Sequence, residues 1–308
     1  MKFDKNYLAA IIISIIMILV AFIGPKIYSN EAFFFNIIIL TTVALGLNII
    51  YGLTGYLPFG YMVFFGMGAY GVYIGIRLGL MPIEAFVFGF ILDLVLALVL
   101  LPLFRLKSHY FAIATLAAFE GIYYLVQSPD LSKFTNGALG ASLVTIYNPN
   151  LTYIIATVFL VFVILLTSWI KSSRFGLSLR AIRDSVISAY LDGVNVPITR
   201  GTAWIISAMI ASVAGALYGW YSSFFYPETV FALTLGVYII AFVLFGGLGT
   251  IIGPIIGTVI LYSIYQYFNI SYTYYVQLFF GILLILLILF LPGGIAQIIK
   301  KFFKRSMP

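Results

Sequence analysis

Ten long apolar runs, separated by short clusters of glycine, proline or charged residues, make up most of this chain. A run of about 20 apolar residues is long enough to cross the hydrocarbon core of a bilayer as a helix. Only 8% of the 308 residues are charged, compared with about 25% in soluble domains. So few charges cannot supply the hydrated surface of a soluble globule. The pattern predicts an all-α integral membrane protein, a polytopic bundle of about ten transmembrane helices without a soluble domain.

The predicted spans form one transmembrane domain that covers residues 1–308, and several spans are shorter than a full crossing. Short runs in a polytopic protein indicate tilted, broken or re-entrant segments. The first run follows Lys2 and Lys5 in the manner of a signal peptide, but no small-x-small cleavage site follows it. We therefore interpret it as a retained span. The predicted spans are 7–24, 33–51, 61–79, 84–104, 110–127, 151–170, 202–221, 232–247, 254–269 and 274–291.

The basic residues orient these spans, because cytoplasmic loops are enriched in lysine and arginine. If both termini are cytoplasmic, thirteen of the 16 basic residues lie on that side. We therefore expect a multi-pass protein of the cell membrane with cytoplasmic N- and C-termini. The net charge of +7 does not indicate nucleic-acid binding, since the charges lie at the ends of spans. The thirteen are Lys2, Lys5, Arg105, Lys107, Lys171, Arg174, Arg180, Arg183, Arg200, Lys300, Lys301, Lys304 and Arg305.

Glycines recur at every fourth residue in three places, which puts them on one helix face and lets neighbouring helices approach closely. The segment from Gly66 to Gly71 also matches the dinucleotide-binding pattern G-x-G-x-x-G. That pattern requires a preceding strand and a soluble helix, so its position inside a span favours helix packing instead. The three series are Gly71, Gly75 and Gly79; Gly215 and Gly219; and Gly249, Gly253 and Gly257.

Two clusters of helix-breaking residues interrupt the apolar pattern, one in each half of the chain. Broken backbone at membrane depth is tolerated only where protein buries it or where it lines a water-filled cavity. Corresponding breaks in two halves are typical of paired repeats around a translocation path, and two ordinary tight loops are the alternative interpretation. The first cluster contains Gly52, Gly55, Pro58 and Gly60, and the second contains Gly246, Gly247 and Gly249.

Few side chains have catalytic or metal-binding potential. The chain has no cysteine, and its one histidine, His109, lies near Arg105 and Lys107 without a neighbouring carboxylate. Asp93 and Glu120 fall within predicted spans, where a carboxylate is costly and usually functional, and we expect structural or gating roles for both. The chain also lacks the G-x-x-x-x-G-K phosphate loop. We predict no catalytic, cofactor-binding or metal site.

The most distinctive segment outside the spans is the basic stretch 171–201. Residues 177–192 have helical periodicity, and Gly193 is well placed to end that helix. A short amphipathic helix between spans can lie on lipid headgroups or dock in the groove of a partner protein. The apolar face of the helix comprises Leu179, Ile182, Val186 and Ala189.

Four ordered blocks of the sequence resemble the permeases of ABC importers for branched-chain amino acids, most closely the M-type of their two membrane subunits. Together the blocks cover roughly residues 40 to 260, and their order carries the resemblance more than any one block. The blocks are Ala44–Asn48 with Phe64–Tyr70, Tyr110–Leu116, Arg174–Val196 with Ser207–Tyr218, and Phe245–Pro254.

The resemblance implies an importer built from two related permeases, two cytoplasmic ABC ATPase subunits and an extracytoplasmic substrate-binding protein. The second permease would be a paralogue or another copy of this chain. ATP and Mg²⁺ would be bound by the partner ATPases, so this chain would be a transport subunit and not an enzyme. The helix 177–192 would be the coupling helix that docks in a groove of the ATPase.

The resemblance also implies roles for individual residues. Family members usually have Asn-Glu where this chain has Ser185-Val186, and Asp192 at the helix end offers a replacement carboxylate. They also usually have Ser at Pro58 and His at Tyr61. The residues expected near the translocation path are Asn48, Gly52, Gly55, Pro58, Gly60, Tyr61, Glu120, Gly246, Gly247 and Gly249. The residues expected to couple to the ATPase are Arg180, Arg183, Asp184, Ala189, Asp192 and Gly193.

Three other functions compete with this interpretation. An ABC permease for another small solute, such as a sugar, nucleoside, amide or urea, would share the whole architecture. An ion-driven carrier or channel would need no coupling helix, so the basic stretch favours an ATP-driven importer. An intramembrane enzyme is disfavoured, because no plausible nucleophile–base pair occurs in the sequence.

Overall fold

A computed structural model of the chain describes residues 5–271, 275–290 and 294–295. The polypeptide is almost entirely helical, with one two-stranded antiparallel ladder, β1 (Ala141–Ser142) and β2 (Phe224–Phe225). The α-helices are α1 (Lys5–Ile27), α2 (Glu31–Leu47), α3 (Met62–Arg77), α4 (Pro82–Val99), α5 (Ser108–Gln127), α6 (Ser132–Thr135), α7 (Pro149–Ser172), α8 (Arg174–Asp184), α9 (Val186–Leu191), α10 (Val196–Ser222), α11 (Pro227–Val230), α12 (Leu233–Gly246), α13 (Ile252–Ser271) and α14 (Val276–Phe290).

Each of the ten predicted spans corresponds to one of these helices, with ends that differ by a few residues. Two spans change geometry near their ends. α2 continues as a π-helical turn over Asn48–Gly52, and α4 is followed by a 3₁₀ turn over Leu101–Arg105. Pro102 accounts for the second change, because proline lacks an amide donor and disfavours α-helical geometry in the residue before it. The fourth span therefore finishes as a 3₁₀ turn that ends at Arg105, close to the predicted residue 104.

Seven helical segments within the described residues are long and apolar enough to cross a bilayer. Two shorter apolar helices, Met62–Arg77 and Val276–Leu286, accompany them. These features confirm the predicted fold class, an all-α polytopic membrane protein. The seven are Tyr7–Ile27, Glu31–Gly52, Pro82–Arg105, Ser108–Gln127, Pro149–Ser172, Val196–Ser222 and Pro227–Gly246.

Helices α2, α3 and α10 form the centre of the bundle. Most residues of α2 and α10 are buried, whereas only about a fifth of the residues of α1 and α4 are. α10 packs against α2, α3, α4 and α7. Trp204 of α10 is buried and donates its indole N–H to the Ala97 carbonyl of α4 at 3.0 Å. The central helices therefore hold the inner faces of the peripheral spans, whose outer faces are apolar.

Most glycines of the three series place backbones in close contact, as predicted, whereas Gly219 faces the Phe225 and Ala69 side chains and two others lie outside their helix. A Cβ atom on Gly71 would lie 2.5 Å from the Gly89 Cα of α4, and one on Gly75 would lie 2.7 Å from the Ala85 Cα. Gly79 does not belong to this face, since it has a φ of +83° beyond the end of α3 and no neighbour within 4 Å. Gly249 likewise lies outside α13. In both cases the regular spacing extends past the end of the helix.

We expect Gly71→Ala to lower the stability of the folded chain by about 1–3 kcal/mol, the usual cost of overpacking. The added methyl group would overlap the backbone of α4. A backbone, unlike a side chain, cannot relieve such an overlap by changing rotamer. Gly121→Ala is the matched control, because Gly121 in α5 has no neighbour within 4 Å and should gain about 0.5–1 kcal/mol of helix stability. Thermal denaturation in detergent measures both, and equal shifts for the two variants would contradict the packing assignment.

Contacts between loops sort them onto two opposite ends of the bundle. On one end, which we call the α8 face, Arg183 contacts Gly52 and the ring of Tyr56 lies against Arg200. On the opposite face, β1 pairs with β2, and Trp220 donates to the Ile146 carbonyl at 2.6 Å. This grouping agrees with the predicted up–down alternation of these spans.

The predicted single helix over 177–192 is wrong, because the segment forms two helices that meet at Ser185. Ser185 has extended backbone angles, φ −159° and ψ 117°, and its side chain accepts a hydrogen bond from the Ser188 N–H. A serine in this position is a favourable N-cap, so it ends α8 and begins α9. Gly193 terminates α9 with a φ of +80°, as predicted.

Candidate functional site

The two glycine clusters that are about two hundred residues apart in the sequence lie against each other at the α8 face. We call residues 48–60 the first break and residues 246–251 the second break. The first follows the last regular turn of α2, and the second separates α12 from α13. π-helical turns such as Asn48–Gly52 are frequent at functional sites. The fold therefore joins the two interruptions into one structural unit.

Asn48 connects the two breaks with both ends of its carboxamide. Its Nδ2 group donates to the Thr250 carbonyl at 2.8 Å, and its Oδ1 atom accepts from the Gly249 N–H at 2.8 Å. The side chain is buried, with 1% of its surface exposed. Asn48 thus satisfies a backbone donor and a backbone acceptor that the interrupted helix leaves free, as buried polar groups require.

Two glycines make this contact possible. A Cβ atom on Gly52 would overlap Asn48 Oδ1 and lie 2.7 Å from the Gly249 nitrogen. Gly249 has a φ of +73°, in the region that favours glycine, and a Cβ there would lie 3.0 Å from the Gly52 carbonyl oxygen. The close approach of the two breaks therefore depends on glycine at both positions.

Arg183 of α8 reaches the same contact from outside the bundle. Its Nη1 group donates to the Gly52 carbonyl oxygen at 2.6 Å. The same nitrogen would lie 3.2 Å from a Cβ atom on Gly249, and the Arg183 Cγ atom would lie 3.5 Å from one on Gly55. A guanidinium bonded to a carbonyl is a charge-assisted hydrogen bond, stronger than a neutral one. The helix outside the spans is therefore tied directly to the broken backbone.

The remaining glycines predicted near the path take part in packing around the breaks. A Cβ atom on Gly60 would overlap the Thr115 carbonyl of α5, and one on Gly246 would overlap the Gly253 carbonyl of α13. Gly247 has a φ of +119° and accepts a hydrogen bond from the Thr250 hydroxyl at 2.8 Å. Pro58 is buried within the first break. The breaks are thus compact and internally bonded.

Tyr61 follows the first break and is buried between three helices. Its hydroxyl donates to the Ser207 carbonyl of α10 at 2.7 Å, and the Ser207 hydroxyl donates to the Gly46 carbonyl of α2 at 2.7 Å. The side chain is 2% exposed. This arrangement connects α2, α3 and α10, so Tyr61 fixes the geometry of the first break.

The two intramembrane acids do not join the breaks. Asp93 is fully buried in α4, and the Ser212 hydroxyl of α10 is its polar neighbour. Glu120 in α5 is partly exposed, and its polar neighbour is Tyr123, about one turn along the same helix. The structure thus places Asp93 at a packing contact between helices and Glu120 in the helix that packs against Gly60.

The six predicted coupling residues divide according to exposure. Arg183, Asp184, Asp192 and Gly193 are exposed at the α8 face, and Arg180 is partly exposed. Ala189 is fully buried, in a small apolar cluster with Ile182 and Val196. It therefore supports the loop from inside and offers no surface to a partner.

Two further residues at this surface were not predicted from the sequence. Ile187 and Leu191 of α9 are 75% and 84% exposed, although both are large and apolar. They lie one helical turn apart and away from the buried side of α9, which is a signal of a contact surface. In a helical projection of the sequence, both residues lie outside the apolar face formed by Leu179, Ile182, Val186 and Ala189. Large apolar residues outside that face are the sequence signal that could have identified this contact surface.

Comparisons with known proteins agree with this architecture. Residues 29–288 match the family model described as branched-chain amino acid transport system / permease component. LivM of Escherichia coli, a high-affinity branched-chain amino acid transport system permease protein, is 25% identical over 82% of this chain. Probable LivH of Methanocaldococcus jannaschii is 27% identical over 92% of this chain and 94% of its own length. No solved structure matches the chain.

Relatives of the M-type and of the H-type match with similar identities, so the assignment to the M-type stays a prediction. This chain spans 66% of the length of the E. coli LivM protein. The family model covers most of the chain, from the beginning of the second span to α14. The chain therefore belongs to the family of branched-chain amino acid transport system permease components.

Proposed function

We propose that this chain is the transmembrane permease subunit of an ATP-driven ABC importer for branched-chain or other hydrophobic amino acids. The family and the names of the relatives support the substrate class. One observation in the structure supports coupling of this chain to ATPase subunits, namely the hydrogen bond from Arg183 of α8 to the Gly52 carbonyl. Through this bond, a displacement of α8 and α9 reaches both breaks at once.

The proposed complex contains two permeases, two ABC ATPase subunits and an extracytoplasmic substrate-binding protein. ATP and Mg²⁺ belong to the ATPase subunits, and this chain supplies no cofactor. We propose that α9 docks on the ATPase through Ile187 and Leu191, with Asp184 and Asp192 beside them. Apolar side chains at the centre of a contact, surrounded by polar groups, are the usual composition of a protein interface.

The proposed topology places the α8 face and both termini in the cytoplasm. The chain has no cysteine, so single cysteines report their own position only. We expect Leu177→Cys on α8 and Leu139→Cys on the opposite face, 59% and 76% exposed, to react with a membrane-impermeant maleimide from opposite sides of the cell membrane. Labelling of both residues from one side would contradict the topology.

Uptake of labelled leucine into proteoliposomes tests the proposed function. Vesicles would contain this chain with its permease partner, the ATPase subunits and the binding protein. We expect uptake that requires both ATP and the binding protein. Uptake without the ATPase subunits would identify an ion-driven carrier instead. ATPase activity that responds to another small solute but not to amino acids would retain the ABC mechanism and reject the substrate class.

A further inference from the structure

A cavity of about 950 Å³ opens at the α8 face between α4, the 3₁₀ turn that follows it, α9 and α10. Its walls are mostly apolar, but two arginines, Arg105 and Arg200, line it, and no acidic residue does. The cavity is separate from the contact between the two breaks.

Arg200 is the unusual residue of this cavity. It is 5% exposed, and its Nε and Nη2 atoms are buried without a hydrogen-bond partner in the described chain. The guanidinium carbon lies 3.9 Å from the centre of the Tyr56 ring and 5.9 Å from that of Phe104. Ring faces attract a cation but do not neutralise it. Within the described chain, the charge of Arg200 therefore lacks an anion.

The surroundings of the cavity indicate which kind of molecule supplies that anion. The outer face of α4 carries exposed apolar side chains along its whole length and reaches the cavity at Leu98. Ile198 of α10, 65% exposed, continues this apolar surface on the other side of the opening. A membrane protein presents such an apolar surface to the acyl chains of lipids. The two arginines lie at the end of this surface, where the headgroup of a lipid lying along it would be.

We propose that this cavity binds the phosphate headgroup of an anionic phospholipid, with its acyl chains lying along α4 and α10. Arg200 and the exposed Arg105 contact the phosphate, and the rings of Tyr56 and Phe104 lie against the Arg200 guanidinium. Basic pockets between spans on the cytoplasmic side of a membrane bind such headgroups. This inference goes beyond the proposed transport function and rests on the proposed cytoplasmic position of the α8 face.

Native mass spectrometry of the full-length chain in detergent, titrated with phosphatidylglycerol or phosphatidylcholine, tests the proposal. We expect the first phosphatidylglycerol to bind at least about fivefold more tightly than phosphatidylcholine, since each basic residue near an anionic lipid contributes a factor of about five. Arg200→Gln and Arg105→Gln should each weaken phosphatidylglycerol binding by about fivefold. Arg105 is exposed, so its variant tests the proposal even if Arg200→Gln does not fold.

Lys107→Gln is the control, because it removes a nearby exposed charge that does not line the cavity, and it should leave the affinity unchanged. Equal affinity for the two lipids, or equal effects of all three variants, would overturn the proposal. Displacement of the lipid by an equal concentration of glycerol phosphate would assign the site to a soluble anion. Loss of ATPase-subunit binding in Arg105→Gln with unchanged lipid affinity would assign the cavity to that partner.

Discussion

Replacement of Asn48 by leucine is expected to separate the two breaks and to destabilise the folded chain. The variant would leave the Gly249 N–H and the Thr250 carbonyl without their partner. Each buried group left unpaired costs about 1–3 kcal/mol, so the sum is among the largest effects that one substitution in this chain can produce. The fall in melting temperature of the purified chain in detergent measures the loss.

Thr41→Val is the matched control for this substitution. Thr41 lies in the same helix and is fully buried, but its hydroxyl has no hydrogen-bond partner within the described residues. Loss of that hydroxyl should be neutral or slightly stabilising. A melting temperature of Asn48→Leu equal to that of Thr41→Val would show that the carboxamide does not hold the breaks together.

Replacement of Arg183 by alanine is expected to uncouple ATP hydrolysis from transport. The variant removes the hydrogen bond between α8 and the Gly52 carbonyl, and bonds to charged groups contribute about 1.5–3 kcal/mol. We therefore expect uptake by the reconstituted complex to fall by roughly 10- to 100-fold, while ATP hydrolysis continues. Parallel assays of uptake and hydrolysis in the same vesicles give the ratio directly.

Two further variants distinguish loss of the hydrogen bond between Arg183 and the first break from a general loss of positive charge. Arg174→Ala removes an exposed arginine at the beginning of the same helix and should leave the ratio unchanged. Arg183→Lys, which keeps a donor but loses the forked geometry, should retain part of the coupling. If uptake and hydrolysis fell together in Arg183→Ala, Arg183 would serve assembly and not transmission of movement.

Much of the fold could be predicted from the sequence, because each span is specified locally by its own apolar length. The ten spans correspond to helices, and the alternation of loops between the two faces agrees with the charge distribution. Local signals also explain the errors. Ser185 is an N-cap, and a pattern based only on apolar spacing passes over it, so one helix was predicted where there are two.

The candidate site was less predictable, because its geometry arises from contacts between distant parts of the chain. Gly52 and Gly249 were recognised as helix breakers, yet nothing local to either indicates that they meet. The family resemblance implied that Arg183 couples to the ATPase, and the residue is exposed at the α8 face, but its hydrogen bond to the Gly52 carbonyl was not predicted. Its bond to Gly52 depends on how α8 sits on the bundle. The exposed pair Ile187 and Leu191 depends likewise on the break at Ser185.

The central claim is that α8 and α9 move together with the first break when nucleotide binds to the partner subunits. Spin labels at Leu177→Cys and Phe59→Cys, both exposed positions outside the proposed docking surface, test it by double electron–electron resonance in the assembled complex with and without ATP. We predict the same narrow distance distribution in both nucleotide states, and a broad one when Arg183 is alanine. A distance that changes with nucleotide in the otherwise native chain, or one that is unaffected by loss of Arg183, would contradict the account.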